Sequence, residues 1–258
     1  MNILGIDVGG SGIKGAPVDL ELGDFAESRL RIPTPSKSSP KNVAAVVAEV
    51  IENFKDQVAD GTRIGLTIPA PVVHGRVPFI ANLHKSWAGL EASKFFEDHL
   101  GRPVTLVNDA DAAGLAEVYH GAAKGNDGLV IMTTLGTGIG SAIIYRGVLV
   151  PNAELGHVEL DGSDAETRAA SSIKEKEKLS YKQWAVRLQR YYSHIEMLFS
   201  PDLFVVGGGV SKDSEKFLPL LKLRTPIVPA KMSNRAGIIG AALAAQDADL
   251  HPDPSQAG

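Results

Sequence analysis

A unit of buried strand, glycine-rich turn and second strand occurs twice in the first 145 residues, and this repeat constrains the fold most. In the first copy, an apolar strand over 2–8 leads into the turn Gly9–Gly12. In the second, a strand over 128–134 leads into Gly136–Gly138 and a returning strand over 142–145. Backbone N–H groups in such turns bind phosphate without needing a helix. One hairpin of this kind is weak evidence, but two predict a pair of phosphate-binding turns.

Residues 10–15 also match the dinucleotide-binding pattern G-x-G-x-x-G, which requires a helix to follow. Here Gly15, Pro17 and strand-like alternation follow, so the sequence predicts a second strand instead. A plain hairpin turn without a ligand remains the alternative. The P-loop pattern G-x-x-x-x-G-K-[ST] does not occur in the chain.

Asn108 and Asp109 stand where a buried strand over 103–107 meets a helical pattern over 110–119. Both residue types are favoured helix N-caps, so the junction has a purely structural explanation. The functional interpretation is that Asp109 is a general base at the carboxyl end of a central strand, where α/β proteins place their chemistry. The local sequence leaves both interpretations open.

Two further polar segments are candidates for ligand contact. Glu154 and His157 lie three residues apart, a spacing compatible with a structural histidine, a pair of metal ligands, or groups that bind several hydroxyls. The segment 81–87 predicts a surface loop in which Asn82 contacts a ligand. Trp87 in the same segment is either part of that contact or a packed core aromatic.

The composition excludes several classes of protein. The 258 residues are 44% apolar and 22% charged, as in an ordinary globular protein, and the absence of cysteine excludes disulfides and thiolate metal sites. The net charge of -4 argues against a broad nucleic-acid surface. The uncharged run 128–145 contains several glycines and predicts two strands rather than a membrane helix. We therefore expect a cytoplasmic protein with neither nucleic acid nor membrane as a partner.

Elsewhere the periodicity predicts a strand over 64–68 and a long amphipathic helix over 181–199. A third glycine turn, Gly207–Gly209, follows a strand over 203–206. A small, apolar helix is expected over 236–245.

Taken together, these motifs resemble the actin-like sugar kinases of the ROK family (repressors, open reading frames and sugar kinases). The resemblance rests on segments that occur in the family's order: Ile6–Lys14, Val107–Ala110, Leu135–Gly140, Glu154–His157 and Val205–Val210. It covers most of the chain. It implies an α/β, actin-like (ribonuclease H-like) fold of two domains, with a mixed five-stranded sheet in each and a central cleft.

By the same resemblance, a small N-terminal domain is expected over 1–108 together with 236–248, and a larger domain over 109–235. Residues 249–258 are expected to form a disordered tail. Most family kinases carry a cysteine-rich zinc segment after the Glu-x-x-His motif, whereas here 159–172 is short and has no cysteine. No structural zinc is therefore expected, and the polyphosphate-using members of the family resemble this chain in lacking it.

The resemblance implies transfer of the terminal phosphoryl group of inorganic polyphosphate, and of ATP, to the 6-hydroxyl of glucose, with mannose as a second acceptor. Mg²⁺ is the implied cofactor and a homodimer the implied assembly. The alternatives are an ATP-only glucokinase or fructokinase of the family, and a non-catalytic sugar-sensing protein.

The resemblance also assigns roles to individual residues. Asp109 is the catalytic base, and Asp7 orients water on Mg²⁺. The residues expected to bind sugar, with Glu159 as the alternative to Glu166, are Asn82, Asn108, Asp109, Gly138, Glu154, His157 and Glu166. Those expected to bind the phosphates or nucleotide of the donor are Asp7, Gly9, Gly10, Ser11, Gly12, Lys14, Thr137, Gly138, Gly207, Gly208 and Gly209. A polyphosphate chain implies a cationic track, whose candidates are Lys14, Lys85, Lys212, Lys216, Lys222, Arg224 and Lys231.

Overall fold

The computed structural model describes residues 2–81 and 83–250. In this part of the chain the protein is α/β, as predicted. It divides into two compact units. Unit 1 is the chain up to Ala116 together with the chain from Asn234 onward, and unit 2 is Glu117–Ser233.

Unit 1 is built on a sheet of six strands. The strands of the unit are β1 (Ile3–Val8), β2 (Ile13–Asp19), β3 (Asp24–Phe25), β4 (Leu30–Ile32), β5 (Ile64–Ile68), β6 (Arg76–Val77), β7 (Leu90–Glu91) and β8 (Val104–Asn108). The helices α1 (Pro40–Asn53) and α2 (Ala92–Leu100) lie in unit 1, and α3 (Asp109–Tyr119) begins in unit 1 and ends in unit 2. The sheet order is β3-β2-β1-β5-β8, which is five strands as expected, and the short β4 pairs with β2 as a sixth.

Unit 2 contains a mixed sheet of five strands, in the order β11-β10-β9-β14-β15. The strands of the unit are β9 (Leu129–Leu135), β10 (Ile139–Tyr145), β11 (Val148–Val150), β12 (Glu159–Leu160), β13 (Ser163–Asp164), β14 (Leu203–Gly207) and β15 (Ile227–Pro229). Its helices are α4 (Glu166–Ala169), α5 (Ser171–Lys176) and α6 (Tyr181–Phe199). The last helix of the chain, α7 (Ala236–Leu250), belongs to unit 1. Residues 249 and 250 therefore end a helix rather than begin a disordered tail, and 251–258 lie outside the described residues.

Helix α6 forms where the sequence predicts it, and its ends and its buried face explain why. Ser180 caps it in a capping box with Gln183, which satisfies two backbone groups that the helix leaves unpaired. Trp184 and Leu188 belong to the face that is buried in the core of unit 2. The indole Nε1 of Trp184 donates to the carbonyl of Ala169 at 2.9 Å, so its one polar atom is also satisfied.

The uncharged run 128–145 forms the antiparallel pair β9 and β10, which confirms the predicted strands and turn. No helix within the described part of the chain combines the length and the apolar character needed to cross a bilayer.

Glycines let the backbone of α7 approach the sheet and α3 very closely. A Cβ added to Gly5 on β1, or to Gly65 on β5, would lie under 3.0 Å from a carbonyl oxygen of α7. A Cβ added to Gly240 of α7 would lie equally close to the carbonyl oxygen of Ala112 on α3. These three contacts join backbone to backbone, and we call them the glycine seam.

The glycine seam explains where the units divide. The predicted domains separate at residues 108 and 109, whereas in the structure the chain up to Ala116 belongs to unit 1. Ala112 packs with Val107 and Ala241 in a small buried cluster. The first half of α3 is therefore held by β8 and α7.

Replacing Gly240 by alanine tests the seam, because two effects of opposite sign compete. Helix propensity alone favours alanine over glycine by about 1 kcal/mol. The added Cβ meets a backbone oxygen that no side-chain rotation moves, and overpacking of this kind costs about 1–3 kcal/mol. We expect net destabilisation, measured as a lower free energy of unfolding in urea. Gly209→Ala, whose Cβ meets nothing within 4 Å, is the control and should be nearly neutral. A stabilised Gly240→Ala variant would contradict the seam.

Candidate active site

The first predicted phosphate turn connects β1 to β2 in unit 1. Gly9 N donates to Gly12 O at 3.1 Å, and the hydroxyl of Thr34 donates to Gly9 O at 2.5 Å, so the turn is closed and anchored. Gly10 and Ser11 are exposed, and their amide N–H groups donate to no acceptor among the described residues. The turn therefore presents two free backbone donors, as a phosphate site requires.

Asp7 lies beside this turn and is held by two neighbouring strands. The pairing of β1 with β2 places it opposite Lys14, and the pairing with β5 places it opposite Thr67. Lys14 Nζ is 3.2 Å from Asp7 Oδ2, and the hydroxyl of Thr67 donates to Asp7 Oδ1 at 3.0 Å. Asp7 and Lys14, both predicted to bind the donor and Asp7 also to orient water on Mg²⁺, thus form an ion pair.

Arg31 is a cationic residue at the same turn that the sequence interpretation missed. Strand β4 pairs with β2 so that Arg31 lies opposite Lys14. Its Nη2 donates to Ser11 O at 3.1 Å, and a Cβ added to Gly12 would lie 2.9 Å from its Nε. Only the register between β2 and β4 brings Arg31 to the turn, and no local motif in the sequence marks it.

At the junction of β8 and α3, the two polar residues Asn108 and Asp109 make different contacts. Asn108 Oδ1 accepts from Ala110 N at 2.8 Å and from Asp111 N at 3.2 Å, so Asn108 is the N-cap of α3. Asp109 is the first residue of the helix, and its Oδ1 accepts from Ala110 N at 2.9 Å. A carboxylate here lies at the positive end of the helix dipole, which stabilises its ionised form.

The second predicted phosphate turn connects β9 to β10 in unit 2. Gly136 N donates to Gly138 O at 3.0 Å, and the exposed Thr137 forms its tip. The amides of Thr137 and Gly138 donate to no acceptor in the part of the chain that the structure describes. Ser172 at the start of α5 supports the turn, since its hydroxyl donates to Thr137 O at 2.7 Å and its amide to Gly136 O at 3.1 Å.

Glu166 contacts the end of the second turn. Its Oε2 accepts from Ile139 N at 3.0 Å, and a Cβ on Gly138 would occupy the position of that same carboxylate oxygen. Glycine at 138 is therefore what allows the carboxylate to reach the turn. The alternative residue, Glu159, is exposed on β12.

Glu154 and His157 belong to a small cluster of charged side chains in the same unit. His157 Nδ1 is 2.9 Å from Asp164 Oδ2, and this hydrogen bond, with the charges of Glu166 and Glu154, raises the pKa of the imidazole. Partial burial raises the pKa of the Glu154 carboxyl, as does the charge of Glu166, while His157 opposes both. Asp164, which no motif in the sequence marks, is thus the partner that holds the histidine.

The third glycine turn packs against the second. Gly207 ends β14 and lies opposite Thr134 on β9. Gly208 has a φ of 85°, and a Cβ there would lie under 3.0 Å from the carbonyl oxygen of Leu135. Only glycine suits both the backbone angle and the space, so this turn lies directly beside the strand that enters the second phosphate turn.

Two residues of the segment 81–87 were candidates for ligand contact, Asn82 and Trp87. Trp87 is fully buried, stacks on Phe96 at 5.7 Å between ring centroids, and donates from Nε1 to Ser38 O at 2.8 Å. The interpretation of Trp87 as a packed core aromatic is therefore correct. Asn82 lies outside the described residues.

The predicted site residues fall into two sets, one in each unit. Unit 1 brings together Asp7, Gly9, Gly10, Ser11, Gly12 and Lys14, and it also carries Asn108 and Asp109. Unit 2 brings together Thr137, Gly138 and Glu166, with Glu154 and His157 electrostatically coupled to Glu166. Gly207, Gly208 and Gly209 lie next to the same turn.

A sheet in each unit with a glycine turn at a strand end, together with a carboxylate directly after β8, is the arrangement of an actin-like sugar kinase. Strand β8 is the edge strand of its sheet, so the expectation that Asp109 follows a central strand is wrong. The chain belongs to the ROK family: the family model, described as "ROK family", matches residues 3–172. Its fold is accordingly the actin-like two-domain fold that the sequence motifs predict.

Several individual relatives are similar over nearly the whole chain. A polyphosphate glucokinase from Mycobacterium tuberculosis is 50% identical over 243 residues, covering 93% of this chain and 89% of the relative. A polyphosphate glucokinase from Mycobacterium leprae is 47% identical over 241 residues, covering 93% of this chain and 73% of the relative. The crystal structure of an inorganic polyphosphate/ATP-glucomannokinase from Arthrobacter sp. strain KM superposes with a TM-score of 0.89 at 51% identity, covering 95% and 98% of the two chains.

Asp164→Asn tests the histidine pair. Asp164 is the main cause of the raised pKa of His157, so the substitution should return that pKa toward its ordinary value of about 6.5. Because the pKa is raised in the folded state, the pairing stabilises the fold fully below the ordinary pKa and loses that effect as the pH rises through the folded pKa. An NMR titration of the His157 ring measures the change.

Asp161→Asn is the matched control, since Asp161 pairs with Arg190 rather than with His157. An unchanged pKa for His157 in the Asp164→Asn variant would contradict the assignment.

Proposed function

We propose that this protein is an enzyme that transfers the terminal phosphoryl group of inorganic polyphosphate to the 6-hydroxyl of glucose. The observation that carries the proposal is the pair of glycine turns whose exposed N–H groups donate to no acceptor among the described residues. Such turns suit a donor made of phosphates. Relatives named polyphosphate glucokinase, 47–50% identical over 93% of the chain, support the same donor and acceptor.

Sugar recognition falls to side chains that exchange hydrogen bonds with hydroxyl groups. The carboxylates of Glu154 and Glu166 accept from hydroxyls, and the imidazole of His157 donates or accepts at the nitrogen that Asp164 does not hold. Asn108 uses its oxygen for the helix cap, which leaves its amide nitrogen as the donor for a sugar oxygen. Gly138 adds backbone contact beside Glu166.

Asp109 is the general base of the proposed reaction. Its carboxylate accepts the proton of the 6-hydroxyl as the hydroxyl oxygen attacks the terminal phosphorus, and the bond from that phosphorus to the remaining phosphate chain breaks. The shortened chain leaves with the bonding electrons. Because phosphoryl transfer depends mainly on positioning and charge neutralisation, the two turns and the base together account for the chemistry required.

Each turn offers free amides to phosphates of the donor, and in unit 1 side chains next to the turn supply positive charge. Asp7 orients Lys14. Arg31 lies against Gly12 and uses one of its five N–H donors for the carbonyl of Ser11, so four donors remain for phosphate. Of the other candidates for a cationic track, Lys216 pairs with Asp213 and Arg224 lies 3.9 Å from Glu196. ATP is proposed as a second donor, since its phosphates suit the same turns.

Asp7 fits a water-mediated contact to Mg²⁺ and not a full ligand set. Its two oxygens already accept from Lys14 and Thr67, and no group of three or more acidic or histidine side chains within the described ranges suits a metal ion. Mg²⁺ characteristically keeps several waters and binds through one or two carboxylates together with substrate phosphates. When bound with the donor, it would neutralise phosphate charge, while Asp7 and Lys14 hold their positions at the turn.

Mannose as a second acceptor, a homodimeric assembly and a cytoplasmic location stay predictions. Assays with mannose, sedimentation velocity and cell fractionation test them separately.

Asp109→Asn tests the base. A positioned general base contributes about 10²–10⁴-fold to the rate, so kcat should fall by that factor. Glucose affinity, measured by calorimetry, should change by less than about threefold, because the helix cap is carried by Asn108 and the fold is kept. Asp98→Asn, an exposed aspartate on α2, is the control. A kcat within tenfold of the wild type would contradict the role of Asp109.

The donor assignment is tested by incubating the enzyme with glucose and either polyphosphate or ATP, and measuring sugar 6-phosphate. We expect product with polyphosphate and with ATP. Product from ATP alone would establish the alternative of an ATP-only glucokinase. If neither donor gives product with glucose, fructose is tried next, and a failure there would leave the sugar-sensing alternative.

A further inference from the structure

Two lysines lie against one aromatic ring in unit 2, in a cluster that the proposed mechanism does not use. Lys174 Nζ is 4.2 Å from the ring centroid of Tyr181, and Lys216 Nζ is 5.5 Å from it. Lys174 is on α5, and Lys216 ends the 3-10 helix Gly209–Lys216. We call this group the Tyr181 cluster.

The Tyr181 cluster contains two ammonium groups, and the carboxylates of Asp213 and Glu215 act on it. The hydroxyl of Tyr181 donates to Asp213 Oδ2 at 3.0 Å, and Lys216 Nζ lies 2.6 Å from Asp213 Oδ1. Lys174 forms no ion pair within the described part of the chain, although it is partly buried. Lys216 therefore already has a carboxylate partner, whereas Lys174 has no ion-pair partner among the described residues, so its ammonium group can pair with a bound anion.

Both lysines are carried by segments that begin at the donor turns. Ser172, two residues before Lys174, donates to the carbonyl of Thr137 at the tip of the second phosphate turn. The 3-10 helix that ends at Lys216 begins immediately after Gly208, whose backbone packs against Leu135. Lys174 therefore lies two residues beyond a direct contact with the second turn, and Lys216 ends the segment that begins where the third glycine turn packs against Leu135.

The surroundings of the ring favour a phosphate chain over a nucleobase. The ring of Phe217 is nearly parallel to that of Tyr181, at 9° and 6.1 Å between centroids, and Lys174 lies over the ring as well. The ring is thus already covered and offers no free platform for stacking a base. The groups that remain for a ligand are the N–H donors of the two ammonium ions.

We propose that Lys174 and Lys216 form a binding subsite for phosphates of a polyphosphate chain beyond the group that is transferred. The proposal rests on the proposed function, since it needs polyphosphate as a donor. Adenosine has no corresponding anionic groups, so the subsite distinguishes the two donors.

The test compares the double variant Lys174→Gln/Lys216→Gln with the wild type, using long-chain polyphosphate, ATP and glucose. The KM for polyphosphate should rise about tenfold, because an exposed charge pair contributes up to roughly fivefold. The KM for ATP and the KM for glucose should stay within twofold. The dependence of the polyphosphate KM on salt should also weaken, since fewer charge contacts remain to be screened.

The matched control is Lys176→Gln/Lys182→Gln, which removes the same charge from exposed lysines on α5 and α6 that form no ion pair with other described residues. Equal rises in the KM for ATP and polyphosphate, an equal effect of the control variant, or no change would each overturn the subsite.

Calorimetric titration of both variants with polyphosphate separates this proposal from the proposed function. A wild type that makes no sugar 6-phosphate from polyphosphate would overturn the proposed function. Polyphosphate binding that is weaker in the Lys174→Gln/Lys216→Gln variant but not in the control variant would support the subsite, even if no sugar 6-phosphate is formed. Equal polyphosphate binding by both variants would overturn it.

Discussion

The backbone contact between α7 and its neighbours is the constraint on which the rest of unit 1 depends. The glycine seam brings α7 against β1 and β5 and, through Gly240, against α3. Strand β1 leads into the first phosphate turn, and α3 begins at Asp109, so the seam fixes the origins of both functional segments. A glycine inside a helix costs about 1 kcal/mol relative to alanine. At Gly240 a larger residue would clash with the carbonyl group of Ala112, which explains why glycine occurs inside this helix.

The sequence predicted the elements that depend on local periodicity. Strand β5 and helix α6 have the bounds that the pattern indicated, since burial on one face or both leaves a regular trace in the chain. The glycine turns were also visible, because the strands beside them are strongly apolar. The partners of the site residues could not be predicted from the sequence. Thr67 and Arg31 reach their positions through strand pairing, whose register depends on contacts between separate segments of the chain. Asp164 reaches His157 through the local hairpin of β12 and β13, which no motif in the sequence marks.

The two interpretations of the β8–α3 junction prove compatible because they fall on different residues. Asn108 carries the cap, so the carboxylate of Asp109 is not required to hold the helix together. Asp109 is then available for the role of base that we propose for it, at the end of the helix where negative charge is favoured. The sequence allowed either residue to be the N-cap, and the hydrogen bonds give the cap to Asn108.

Glu166 links two parts of unit 2 that bind different ligands in the proposed reaction. Its carboxylate accepts from Ile139 N at the end of the phosphate turn, and it is also proposed to hold a sugar hydroxyl. The absence of a side chain at Gly138 is what lets the carboxylate contact the turn. If both ligands bind as proposed, any change that bound sugar makes in donor affinity must be matched by an equal change that bound donor makes in sugar affinity, because coupling between two binding equilibria is reciprocal.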